Sequence, residues 1–571
     1  MNALANRFRS KIFLSARCSA SNLEGITAQF HDGEGKGGEG KMIRGTMPTG
    51  ERMNWTEEAD VVIVGYGGAG AVAAAVAHDA GEKVLILEKQ PKDCPNETRH
   101  TPNTRMAAGA WFSPDNAANS IQYIEGMTRI SNETLDDERK EMIRVFSQYL
   151  VDNTEWMKTT GVELGGPESL NPNMVASLAS QREVLEGRHF HSDFPKLPGS
   201  DCSWLSFPKA IGKYRYGASL FKSLSEAIER KKIPILWESP AVHLVTENGE
   251  ISGVQGRRGG RAFAVRARRA VILTCGGFEF NTWMKENYLR VNPAHFYGNP
   301  ANTGDGINMA LEMGAALWHM NNASWRVIMK FPDFPIAFSI QHHTTSVIVD
   351  RRGDRFSNER FKSNAFGYEL TNYDTHAMHY PRVPCYWIFD EKRRAWGPVA
   401  SPYGPCNPPG GIPGECFYVW SSDNQKEIDR GWVMKANTLE ELAGKIAADP
   451  DNGGTMDART LEANVRRYND HCRKSKDIDF DKPKEYLRPV EDPPYYAVKL
   501  WPGGPNTQGG PKRNIRGQIL RPDNRPIPRL YSAGELGSVW GMLYQGGGNI
   551  AECIAFGRIA GQNAAGEKRR R

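Results

Sequence analysis

No two cysteines in this 571-residue chain stand in a C-x-x-C pair, and no C-x-x-C-H occurs. Covalent c-type haem is thereby excluded, and no iron–sulfur motif is present. Nine cysteines, an odd number spread from Cys18 to Cys553, fit free thiols in a reducing, cytoplasmic compartment better than a disulfide framework. No apolar run reaches the roughly 18 residues that a membrane-spanning helix needs. No basic block interleaves with aromatics and the net charge is only +6, which argues against nucleic acid as a partner. The tail Lys568-Arg569-Arg570-Arg571 reads as a solvated end. No metal site is expected.

What is present suffices for two or three domains, because a chain of this length outgrows one core. Hydrophobic residues make up 39%, with Gly and Pro scattered throughout, as in a globular enzyme rich in turns. Residues 1–52 stand apart: the first 23 carry Arg7, Arg9, Lys11 and Arg17 with no acid, and GEGKGGEGK follows. They read as a disordered extension, or as sequence upstream of a true start near Met47 or Met53. The alternative is a transit peptide, which is basic and poor in acids.

Folded sequence begins at Ala59. ADVVIV (59–64) is an apolar, β-branched run of strand length, followed by Gly65-Tyr66-Gly67-Gly68-Ala69-Gly70, the alanine-rich AVAAAVAHDAG, and a second strand, KVLILEK, that holds Glu88 and Lys89. Gly65 permits the tight turn, Gly67 lets backbone approach a pyrophosphate, and Gly70 lets the helix pack close to the sheet. The free N–H groups and dipole of the helix N-terminus suit phosphates. Glu88, 18 residues after Gly70, can accept hydrogen bonds from ribose hydroxyls. The motif by itself does not separate FAD from NAD. No second nucleotide fingerprint occurs, so direct use of NAD(P)H is not expected.

Later segments make the separation: Asn103-Thr104-Arg105-Met106-Ala107-Ala108-Gly109; AVILTCGGFEFN with Gly276 and Gly277; Asn302-Thr303-Gly304-Asp305-Gly306; VDRRGDRFSNE; TLEELAGKI; LYSAGEL with Gly534 and Glu535; and GGGNIAECIAFGRIAG with Gly548, Asn549 and Ile550. In these the chain resembles the fumarate reductase and 3-ketosteroid dehydrogenase flavoproteins over roughly residues 58–565. The resemblance implies an α/β fold: a discontinuous, Rossmann-like FAD-binding domain of residues 53–318 and 495–571, with an α+β capping (substrate) domain of 319–494 inserted. It implies FAD as cofactor, with Glu535 on ribityl or ribose hydroxyls and the last helix, opening at Gly548 and Asn549, aimed at the flavin ring. It further implies that Gly217 opens a helix under the adenine and that Val242 touches the adenine through backbone. Some relatives attach FAD through a histidine; here that position counts to Pro102, not His100, so FAD is expected to be noncovalent.

The resemblance also says what the active site lacks. The arginine before the last helix is replaced by Leu543-Tyr544-Gln545-Gly546, the arginine after the Asn-Glu pair falls on Ser363, and the histidine near 506–510 is absent. A dicarboxylate finds no cation at those positions. Tyr544, with Gly546 and Gly548, is instead similar to the ketosteroid dehydrogenase pattern, in which a tyrosine O–H and the Gly548-type backbone N–H polarise a ketone and stabilise the enolate. The proton-transferring tyrosine of the family also falls near Ser363. Tyr368 and Tyr373, displaced from it, and His343, or its neighbour His342, are the candidates here; an unperturbed tyrosine, with pKa near 10, needs help to act as a base.

The expected function is therefore an FAD-dependent dehydrogenase or reductase of the α,β carbon–carbon bond next to a ketone in a bulky cyclic substrate such as a 3-ketosteroid. A quinone or separate electron carrier would exchange electrons with it. The alternatives are a fumarate-reductase-like enoate reductase and a non-catalytic flavin electron-transfer protein.

Overall fold

Residues 61–64 are apolar without interruption, and such a strand must be covered on both faces. In the computed structural model the strand Glu57–Val64 is indeed buried from Ala59 onward and lies between two parallel neighbours, Val84–Leu87 and Arg261–Leu273. The structure describes residues 53–92, 100–165, 187–341, 345–359, 364–406 and 417–570. Residues 1–52, with the expectations that fall on them, lie outside the described residues.

The fold is mixed α/β. Its larger sheet has eight strands, running Gln518–Leu520, Pro526–Ser532, Arg261–Leu273, Glu57–Val64, Val84–Leu87 and Ile235–Leu236, with the hairpin Ala241–Glu247 and Glu250–Arg258 added beside Arg261–Leu273. The register aligns the carboxyl ends of four parallel strands at one edge: Val64 is level with Leu87 and Leu273, and Leu273 with Ser532. Ligands of open α/β sheets bind beyond that edge.

Two helices lie against one face of this sheet, Gly68–Asp79 and Gly548–Ala565. Their contact uses small residues. A Cβ at Gly557 would press on Val72 and the Ala69 carbonyl, and one at Gly561 on Val76 and the Ala73 carbonyl. The two backbones therefore approach closely, which ties the chain's beginning to its end.

A second sheet of seven strands runs Phe338–Ser339, Arg326–Met329, Tyr495–Gly504, Cys385–Phe389 and Ser346–Val349, with His295–Phe296 and Met434–Ala436 also paired to Tyr495–Gly504. Its central strand lies just past residue 494, so this sheet takes strands from both sides of the segment 319–494. Helices Leu439–Ala447 and Ala458–Arg473 pack with it through a core of Leu442, Ile446, Leu461 and Val465. Among the described residues no helix is long and apolar enough to cross a membrane. The described cysteines are all free thiols.

Candidate functional site

The residues that follow the four aligned strand ends form one cleft. Gly65, Gly67, Gly68 and Ala69 come from the first strand, Glu88 and Lys89 from the second, Gly276 from the third, Gly534 and Glu535 from the fourth, with Asn103, Thr104 and Asp305 completing the wall. A cavity of about 530 Å³ lies next to it, lined by Ala108, Gly109, Tyr544, Asn549 and Ile550 among others. Asn103 and Glu535 line both spaces, so cleft and cavity adjoin.

Gly65 has φ +105, and a Cβ there would stand 2.6 Å from the Thr274 carbonyl oxygen. Gly68 N–H donates to Thr104 Oγ1 at 3.0 Å. Glu88, buried, accepts from Tyr66 N–H at 2.8 Å and Gln90 N–H at 2.7 Å. Burial pushes its carboxyl up, but hydrogen bonding and charge from His100 and the two N–H groups outweigh this, so it is held below the usual range. Lys89 Nζ reaches Asp305 at 2.6 Å and Thr303 at 2.9 Å, fastening the 302–306 turn to the second strand.

Where cleft and cavity meet, Asn103 Nδ2 donates to Glu535 at 2.7 Å and to Glu279 at 2.9 Å. Glu279 also accepts from Asn302 Nδ2 at 2.8 Å and Thr507 Oγ1 at 3.2 Å. Burial raises both carboxyls, and the Glu279 charge raises Glu535 further. Beyond them the last helix begins without any side-chain cap. Among the described residues its Asn549 and Ile550 N–H groups have no acceptor, and both residues line the cavity. A carboxyl for hydroxyls, a glycine turn that a Cβ would fill, and an uncapped helix end aimed where negative charge collects on a flavin ring together fit FAD.

Six of the expected residues lie outside both linings. Gly70 packs on the Gly65 carbonyl, and Gly277 against Thr507 and Glu279. Val242 is one residue past the lining Ala241. The Gly548 N–H is spent on the Gln545 carbonyl at 2.8 Å, so it is not free to polarise a ketone. Gly217, in the first turn of the helix Tyr216–Arg230, packs against the Thr104 and Ala107 carbonyls. Tyr368 does not line the cavity; its hydroxyl donates to the Met542 carbonyl at 2.8 Å. His342, His343 and Ser363 lie outside the described residues.

The cavity holds groups that the motifs did not flag. Arg326 supplies the cation that the family positions lack, and Tyr297, Tyr403, Asn364 and Asp193 stand with it. A lone arginine in the otherwise apolar run SWRVIM was the available signal; Tyr403, in SPYGP, gave none. Gly546 N–H and Asn364 Nδ2 both donate to Asp193, at 2.6 and 3.0 Å. His189, pushed down to about 3 by burial and by His191, is neutral. Tyr544 is buried and pushed up to about 12, burial outweighing the Arg326 charge, so its O–H stays a donor.

Fold and site thus define a flavin-binding oxidoreductase. The chain belongs to the family described as FAD binding domain, whose profile matches residues 60–550. It is similar to 3-oxosteroid 1-dehydrogenase of Mycobacterium tuberculosis, at 29% identity over 90% of this chain and 100% of that protein. It is also similar to the fumarate reductase (cytochrome) of Shewanella frigidimarina, at 25% identity over 89% of this chain and 77% of the relative. A solved structure, 3-ketosteroid delta1-dehydrogenase from Sterolibacterium denitrificans in complex with 1,4-androstadiene-3,17-dione, shares the fold with a TM-score of 0.70 at 23% identity, covering 90% of this chain and 100% of that one. The protein is an FAD-dependent oxidoreductase related to both groups.

Proposed function

We propose that this enzyme desaturates, or in reverse reduces, the α,β carbon–carbon bond next to a ketone of a bulky cyclic substrate, a 3-ketosteroid being the leading candidate. The observation that carries the reading is Tyr544: a protonated hydroxyl in the wall of a roomy cavity, beside the uncapped end of the last helix. There it can donate to a ketone oxygen and stabilise the enolate that forms when the α-proton leaves. Bound flavin supplies the hydride acceptor for the β-hydrogen. The second-sheet segment, with 319–494 at its heart, acts as the cap that closes this cavity over the FAD-binding parts, 53–318 and 495–571. FAD is held noncovalently, and a quinone or separate carrier exchanges electrons with it.

Arg326 supports a second reading, reduction of an enoate bearing a single carboxylate, since guanidinium suits that anion. An anaerobic titration with cyclic ketones and enoates separates the two. Saturated ketones should bleach the oxidised flavin; reoxidation by enoates alone would favour the second reading. With a ketone that bleaches, Tyr544→Phe should slow turnover by about a hundred- to a thousandfold while FAD stays bound. A variant keeping more than about a tenth of wild-type turnover would reduce Tyr544 to a packing residue.

A further inference from the structure

Neither flavin binding nor ketone polarisation uses Arg326 or Tyr403, yet the fold holds them together with care. Arg326 stands on the strand Arg326–Met329 with its guanidinium in the cavity. Its Nε donates to Asn364 Oδ1 at 2.8 Å, and Nη2 donates to the same oxygen. Nη1 donates to Tyr403 Oη at 3.3 Å. Asn364 in turn gives its amide N–H to Asp193, which leaves its carbonyl facing the cation and fixes the guanidinium plane. Among the described residues no carboxylate lies within ion-pair distance of Arg326. A phenolic oxygen is therefore the acceptor that the guanidinium offers to the cavity.

We propose that Tyr403 is the catalytic base of this enzyme and that Arg326 is the positioning residue that holds its phenolic oxygen toward the substrate, a reading that rests on the ketone reaction above. The Tyr403 phenolate takes the proton from the carbon α to the ketone. The C–H electron pair becomes the enolate π bond, and Tyr544 O–H receives the charge on oxygen. A bound flavin would serve as the two-electron oxidant, accepting the β-hydrogen with its electron pair as the enolate re-forms the ketone and the α,β double bond closes. One proton and one hydride leave the substrate; the proton passes from Tyr403 to solvent before the next turnover.

The surroundings split the cavity tyrosines in the way this division of labour needs. Burial pushes all of them up. Tyr544 and Tyr297 remain raised and so protonated. At Tyr403 the Arg326 charge and the neighbouring hydroxyls of Ser339 and Ser401 outweigh burial, and the phenol is held below its ordinary range. Two acids driven apart by their environments are the mark of assigned acid and base roles. Around the Arg326–Tyr403 pair stand Tyr297, whose ring centroid is 6.3 Å from that of Tyr403, Tyr544, and Asp193 behind Asn364, with His191 3.4 Å from Asp193; His189, Glu359, Glu485 and Glu535 also line the cavity. Of the other groups, Asp193 accepts from Gly546 N–H and Asn364 and stands 3.4 Å from His191, neutral His189 is too weak a base at about 3, and Tyr368 lies outside the lining with its hydroxyl on the Met542 carbonyl.

The test uses the holoenzyme and a ketone that bleaches the wild-type flavin. Tyr403→Phe should slow bleaching by on the order of a hundredfold or more, the usual worth of a positioned base. It should also abolish solvent-deuterium entry at the α-carbon, while the spectral shift on ketone binding persists. Arg326→Gln should move the rise of rate with pH to higher pH, and Arg326→Lys should restore part of it. Ultraviolet titration of substrate-free enzyme should show one tyrosine ionising below the ordinary range in the wild type and none in Tyr403→Phe. Bleaching within tenfold of wild type in Tyr403→Phe, or an unmoved pH profile in Arg326→Gln, overturns the assignment. If no ketone bleaches the wild-type flavin, the ketone reading falls and carries this one with it; normal wild-type bleaching with an unaffected Tyr403→Phe overturns this assignment alone.

Discussion

Glu279 and Glu535 compete for one amide, that of Asn103, in a wall where neither meets a cation at hydrogen-bond distance among the described residues. Both carboxyls are raised by burial above the ordinary 4.5. A carboxyl whose folded value is raised contributes stability that is fully present below the unfolded value and is lost as pH rises through the folded one. Flavin-free protein should therefore lose thermal stability as pH climbs from about 4.5 toward neutrality, and Glu279→Gln should flatten that fall. Melting curves across pH check this; parallel profiles for the two proteins would mean that Glu279 stays ionised in the fold. The same residue scale explains why the cavity chemistry was hard to foresee. Arg326, Tyr403 and Asn364 lie far apart in sequence, and none belongs to a spaced motif.

At the scale of elements, the first strand–turn–helix depends on backbone meeting backbone. A Cβ at Gly70 would collide with the Gly65 carbonyl, inside the turn between the first strand and its helix. Gly70→Ala should lift the helix from the strand and lower flavin content sharply, read as the ratio of flavin to protein absorbance. Full flavin occupancy would show that the turn can yield. In the second-sheet segment a buried arginine joins the elements. Arg355 donates to Glu359 at 2.7 Å and to Asp477 at 2.7 Å, and its guanidinium lies 4.9 Å from the Tyr468 ring centre on the helix Ala458–Arg473. Removing one partner of a buried ionic cluster leaves uncompensated charge. Arg355→Met should cost about 3–5 kcal/mol in urea unfolding. A loss below about 1 kcal/mol would mean that Lys482, 3.3 Å from Glu359, carries the cluster without it.

At the scale of the molecule, the proposed flavin site draws on segments from residue 65 to residue 550, so cofactor binding and folding should be coupled. Excess FAD should raise the melting temperature of flavin-stripped protein, by about 4 kcal/mol in stability at a thousandfold excess over Kd. No shift would mean that the four strand ends do not form one site. The covalent position counts to Pro102, while His100 is buried against Tyr66, with ring centroids 5.3 Å apart. Acid precipitation should thus release all the yellow colour; colour kept in the pellet would place a covalent bond.

The sequence alone determined the strand–turn–helix, because Gly65, Gly67 and Gly70 answer to steric limits only a few residues long, and it pointed to FAD through ordered segments at both ends of the chain. It also singled out Tyr544 and Glu535, which the structure places in the lining. It gave Gly548 a donor role that the local turn denies, since the Gln545 carbonyl takes that N–H. Only the tertiary structure decided what fills the cavity. Hydrogen bonds and charge act over a few ångströms regardless of sequence separation, and it is the packing of the second sheet that sets Arg326 beside Tyr403, 77 residues later in the chain.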